Sequence, residues 1–130
     1  MKTLMLCFAA GGIGALANSI VVWAFGHYGL SQSMGVAIAP ALSAAWLYPR
    51  IVWGGLWGFL FALPLSNARP LTKAALLSLF PTAFQLFVVF PYFKGLGVAG
   101  MALGELTPVL VLFFNWVWAV ATMMALRLAR

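Results

Sequence analysis

Acidic side chains are almost missing from this chain: it has no aspartate and one glutamate, Glu105, together with one histidine and one cysteine. A mechanism built on two carboxylates therefore cannot be assembled. Cys7 alone makes neither an intrachain disulfide nor a cysteine-rich metal site, and it reads as a small buried or lipid-facing residue. No glycine-rich loop followed by lysine is present to cradle a phosphate. His27, next to Tyr28, reads as an interfacial residue, not as a base or a ligand. These absences argue against an enzyme and against any metal or cofactor. Charged residues make up 6% of the chain, against about 25% in an average soluble domain, too few to cover a globular surface in water.

What is present is apolar: 65% of residues are hydrophobic and the mean hydropathy is +1.10. We expect one integral membrane domain over residues 1–130, with membrane lipids as its surroundings. The seven basic residues are spread singly, so there is no basic patch for nucleic acid, and they read as topology signals. Lys2 before an apolar run, with Ala15-Leu16-Ala17, imitates a signal peptide. The run continues through Ile20-Val21-Val22-Trp23-Ala24-Phe25, which favours an uncleaved transmembrane helix.

Charges and turn residues divide the chain. Residues 3–26 form a first span, closed by Gly26-His27-Tyr28-Gly29. The 20 uncharged residues between Lys73 and Lys94 and the 21 between Glu105 and Arg127 each match the ~20 that cross ~30 Å of hydrocarbon. They predict spans over about 74–93 and 105–126. Met34 to Leu65 is too long for one span and carries Pro40, Pro49 and Arg50. Pro49 disfavours helical geometry at Tyr48, so a break is expected at Leu47-Tyr48-Pro49-Arg50. This leaves a span over about 51–66 and a short re-entrant or interfacial helix over about 34–47.

Charge placement favours four spans with both termini cytoplasmic. Lys2, Arg69, Lys73, Arg127 and Arg130 then lie inside, and only Lys94 and Arg50 lie toward the far side. The expected fold is all-α: four transmembrane helices plus the short helix.

Under that topology Arg50 opens the second span and Glu105 the fourth, at similar depth near the outer face. An arginine–carboxylate pair there is charge-assisted and weakly screened, so Arg50 and Glu105 form a candidate gate or selectivity latch. It competes with a purely structural interfacial pair. Deeper lie Asn18, Gln85 and Asn115, with Ser78, Thr82 and Gln85 along one helical stripe. These polar groups face protein or water, either as interhelical hydrogen bonds or as the lining of a polar path. Small residues at Gly11, Gly14, Gly54, Gly58, Gly100 and Gly104 mark helix-packing faces. Four spans offer few interior faces, so some of these glycines suggest a homo-oligomer, a dimer first among closed forms. Pro81, Pro91 and Pro108 read as packing kinks, and Phe80, Phe84 and Phe87 as lipid-facing or packed rings.

Two resemblances attach to particular residues. Gly11-Gly12-Ile13-Gly14-Ala15 resembles the first helix of bacterial fluoride channels over about ten residues, which implies four spans. That family has an arginine where this chain has Asn18 and a Thr-Thr-Phe-Ser-Thr type break in its third helix that this chain lacks, so its pore residues do not carry over. Ala45 to Gly55 and Leu86-Phe87-Val88-Val89-Phe90-Pro91 resemble small four-span bacterial inner-membrane proteins of no assigned activity. The resemblance implies the same membrane and supplies no function. The expectation is thus a small oligomeric inner-membrane protein with a polar pathway or pocket for a small solute or ion. The rival is a non-transporting accessory or lipid-binding subunit that packs against other membrane subunits.

Overall fold

The structure, a computed structural model, describes residues 2–62 and 69–129. Helix α1 (Lys2–His27) is followed by the single turn α2 (Leu30–Ser33). Helix α3 (Ala44–Gly58) tightens into a 3-10 turn, Phe59–Ala62. Helix α4 (Pro70–Phe84) runs on without interruption as a π-helix, Gln85–Phe93. A 3-10 segment, Val98–Leu103, leads to α5 (Thr107–Ala129). No strand occurs among the described residues.

Three helical stretches are long and apolar enough to cross a membrane: Lys2–His27, Leu71–Phe93 and Thr107–Ala129. Their outer faces carry exposed Leu4, Met5, Ile13, Leu16, Ile20, Leu76, Leu79, Phe80, Phe87, Val109, Leu112 and Met124. So much apolar surface would not stay dispersed in water, and a hydrocarbon solvent suits it. The fold is that of a membrane protein.

Helix α1 sits at the centre, with α3 on one side and α5 on the other, and α4 packs on α5. Glycine makes both α1 contacts possible. A Cβ at Gly11 would collide with the backbone of Gly54 and Gly58, and one at Gly14 would collide with Thr122 and the Trp118 carbonyl. Without a hydrophobic drive between helices in lipid, such backbone approach is what van der Waals packing has to work with. Cys7, Ala10, Ala15, Leu77, Trp118 and Ala119 are all buried in the resulting core.

The glycine faces are therefore occupied within the chain. Gly100 and Gly104 lie outside any span, with φ of 67° and 147°. Gly100 packs on Phe90 and Thr107, and Gly104 packs on the Gly35 backbone. Unused glycine faces thus no longer argue for an oligomer.

The middle of the chain differs from expectation. No short helix covers 34–47: residues 36–43 are non-helical, and 44–47 belong to α3. The chain does not break at Leu47-Tyr48-Pro49-Arg50 either, because α3 runs straight through Pro49. Ser43 explains the earlier start: its side chain accepts a hydrogen bond from the Trp46 backbone N–H at 3.3 Å and caps the helix. Pro49, sixth in α3, cannot donate to the Ala45 carbonyl, a loss that the rest of the helix tolerates. The helix expected to open at 51 thus begins seven residues earlier, at Ala44, and residues 63–66 of the expected span lie outside the described residues, as does Arg130. This helix is not among the three stretches long and apolar enough to cross a membrane.

The strap of residues 36–43 is fastened at its start. The Ala37 N–H donates to the Leu103 carbonyl at 2.9 Å and the Val36 N–H to Ser31 at 2.9 Å. This satisfies backbone groups that neither helix nor sheet provides for.

Candidate functional site

A cavity of about 770 Å³ lies between α3 and α4, backed by α1 and α5 and capped by strap residues 37–40. Helices α3 and α4 are not closely packed; Phe84 bridges them, its ring 6.3 Å from Trp53 and 5.5 Å from Trp57. The α3 wall follows from helical spacing. Trp46, Arg50, Trp53 and Trp57 stand at i, i+4, i+7 and i+11 and form one stripe along the cavity. That spacing is visible in the sequence and marks this face directly.

Because α3 starts at Ala44, Arg50 sits in its second turn, roughly 9 Å along the axis, and not at the helix head. Its guanidinium is held by neutral groups. Nε donates to Ser19 Oγ at 2.9 Å and Nη2 to Asn18 Oδ1 at 2.6 Å, while the Trp46 ring lies 4.7 Å away. Asn18 in turn donates through Nδ2 to the Phe114 carbonyl, so its orientation is fixed from both ends. An amide that accepts from arginine and donates to a backbone carbonyl on α5 locks α1, α3 and α5 together at one level.

Within the chain, no direct latch joins Arg50 to Glu105. Glu105 is exposed in the turn before α5 and does not line the cavity, and no ion pair occurs among the described residues. Its place just ahead of α5 suits a negative charge electrostatically, since the helix N-terminus carries partial positive charge. Arg50 was matched to Glu105 by charge and by expected depth near the outer face; within the chain it is held by a hydroxyl and an amide from adjacent positions on α1.

The other polar positions divide in two. Gln85 and Asn115 line the cavity with Asn18 and Arg50. Ser78 and Thr82 lie outside the lining, buried between α4 and α5. Ser78 donates to the Ala75 carbonyl and Thr82 to the Ser78 carbonyl, each at 2.7 Å, while Asn115 Nδ2 donates to Thr82 Oγ1 at 3.1 Å. Thr82 thus positions Asn115 and leaves its carbonyl oxygen for the cavity. Trp118, which also lines the cavity, donates through Nε1 to the Gly11 carbonyl at 3.1 Å.

The π-helix shapes the opposite wall. Pro81, Gln85, Val89, Phe90, Phe93 and Lys94 line the cavity at spacings of four and five, as a widened helix requires. The Lys94 N–H closes this stretch on the Val89 carbonyl, five residues back. Sequence reasoning missed Ser19, Trp46, Trp53, Trp57 and Lys94 as contributors. Lys94 is exposed at the rim, so the cavity lining carries two cations, Arg50 and Lys94, and no acid.

Fold and site together define an integral membrane protein with an aromatic-walled, cationic cavity. No family model, curated protein or solved structure matches the chain.

Proposed function

We propose that this is a four-span inner-membrane protein of a bacterium, both termini cytoplasmic, whose cavity is a pocket or pathway for a small solute or ion bearing negative charge. The observation that carries this reading is the Arg50 guanidinium, fixed by Asn18 and Ser19 in a cavity lined by no acid. A cation at membrane depth costs about 2.5–3.5 kcal/mol on insertion scales, and such residues concentrate where they face a ligand or a water-filled space. Support for the fourth span comes from α3 and its 3-10 extension, 15 and 4 residues, together about 30 Å long, the thickness of the hydrocarbon core. A homo-oligomer, with a dimer first, remains part of the proposal on grounds of size and symmetry preference alone.

Two measurements test the reading. A membrane-impermeant thiol reagent should label Gln85→Cys from the periplasmic side, with the wild-type chain, whose single Cys7 is buried, as the blank. In liposomes, flux of small anions should fall at least tenfold in Arg50→Gln and persist in Glu105→Gln. Background flux of wild type across a panel of ions and solutes removes the pathway and leaves the accessory-subunit role. Failure of Gln85→Cys to react removes the hydrated cavity altogether. Reporter fusions after residue 129 and within 95–97 should read opposite sides of the membrane.

A further inference from the structure

The cavity has an uneven chemistry: one fixed guanidinium at the back, a lysine at the rim, and aromatic rings elsewhere. Arg50 has five N–H donors, of which the Nε–Nη2 edge serves Ser19 and Asn18. The Nη1–Nη2 edge keeps a parallel donor pair, the geometry that grips a carboxylate or phosphate with two prongs. An inorganic anion placed there would leave the Trp53, Trp57 and Phe84 rings without a partner. A neutral hydrocarbon would fill the rings and leave the guanidinium uncompensated in a poorly hydrated place. Only a molecule with both parts satisfies both walls. The volume, about 770 Å³, lies within the ~300–1,000 Å³ typical of pockets that enclose one small organic molecule. Between α3 and α4 the wall of the cavity is made by the rings of Trp53, Trp57 and Phe84 and not by close helix packing, so on that side an apolar ligand would meet side chains and not backbone.

We infer that the ligand is a single-chain amphiphile whose one anionic group, a carboxylate or phosphate, sits on the free edge of Arg50, with its apolar body among the rings of Trp53, Trp57 and Phe84. This rests on the cavity reading above and narrows it to a ligand class. Lys94 at the rim adds long-range attraction for the same sign of charge.

The test uses the full chain in non-ionic maltoside micelles at mildly alkaline pH, where a fatty carboxylate is ionised. The probes are ω-bromododecanoate and ω-bromododecanol, which quench tryptophan fluorescence on contact. Both partition into the micelle, so the comparison isolates the head group. The carboxylate should quench wild type at roughly tenfold lower concentration than the alcohol, the gain expected of one charge-assisted pair. Arg50→Gln should abolish the difference, and Arg50→Lys, which keeps charge but loses the two-pronged edge, should fall between. Should Arg50→Gln fail to fold, protection of Gln85→Cys from the thiol reagent serves instead: dodecanoate should protect and dodecylammonium should not. Equal quenching by both probes in wild type overturns the inference, as does a difference that survives in Arg50→Gln. Protection by inorganic phosphate as strong as that by dodecanoate identifies a free anion and overturns the amphiphile. Normal labelling of Gln85→Cys without head-group discrimination defeats this inference alone, whereas no labelling defeats the underlying cavity reading.

Discussion

Replacing Gly11 by alanine should damage the packing of α1 on α3 and the arginine site in one step. The new Cβ would meet the Gly54 carbonyl oxygen and the Gly58 Cα, both backbone atoms that no rotamer change can move aside. Restoring ordinary van der Waals contact requires the helices to part by roughly 1 Å. Such a shift would stretch the Arg50 bonds to Asn18 and Ser19, at 2.6 and 2.9 Å, beyond useful hydrogen-bond length. Overpacking of this kind costs about 1–3 kcal/mol. The two interhelical hydrogen bonds add about 0.6–1 kcal/mol each on membrane-protein scales. The expected loss is therefore on the order of 2–5 kcal/mol, partly offset by the better helix propensity of alanine, up to ~1 kcal/mol. Gly12→Ala is the internal control, with the same propensity gain one residue away, where its Cβ would meet Ile51 at ordinary contact distances, 3.5 Å to Cγ2 and 3.9 Å to the carbonyl oxygen. Unfolding of both variants in mixed micelles by increasing SDS, followed by tryptophan fluorescence, gives the difference. Equal stability of Gly11→Ala and Gly12→Ala would refute the argument that backbone contact at Gly11 holds α3 in place.

Two further outcomes follow from single contacts. Ser43→Ala removes the cap on the Trp46 N–H and should lower stability by about 1 kcal/mol in the same unfolding assay, with Ser43→Asp close to wild type. Trp118→Phe strips the donor from the buried Gly11 carbonyl and leaves a small void where the larger indole stood, and should cost about 1–3 kcal/mol in the same unfolding assay.

The third and last long helices were legible because charges punctuate them, Lys73 and Lys94 around one and Glu105 and Arg127 around the other, and the first because Lys2 precedes it and the turn residues Gly26-His27-Tyr28-Gly29 close it. The observed Lys2–His27, Leu71–Phe93 and Thr107–Ala129 lie within a few residues of those runs. The stretch from 34 to 50 was misread because Pro49 was given more weight than Ser43. A proline in the second turn removes one backbone bond, whereas a serine cap at the right position starts a helix. Four of the cavity's polar residues were legible, and the partners of Arg50 were not. Asn18, Arg50, Gln85 and Asn115 do share one cavity, but Coulombic reasoning reached for the lone acid. Two neutral groups one residue apart on α1 can hold a guanidinium as firmly, and nothing in composition signals that. The aromatic stripe of Trp46, Trp53 and Trp57 was readable from its spacing beside Arg50. The wall from Gln85 to Lys94 was not, since its register depends on a π-helix that departs from the 3.6-residue period.

That π-helix makes chain length itself a property of the site. Each of its turns holds about one residue more than an α-helical turn, because its bonds close from i to i+5. Deleting one residue within Gln85–Phe93 would let a turn relax to the commoner geometry at little cost in backbone bonding. Because the relaxed turn still completes one revolution, everything beyond the deletion would keep its facing relative to α4. Gln85 and Lys94 would go on facing the same space. A one-residue gap in this segment therefore narrows the helix at the cavity wall and disturbs the register of the wall less than the same gap within α4 would.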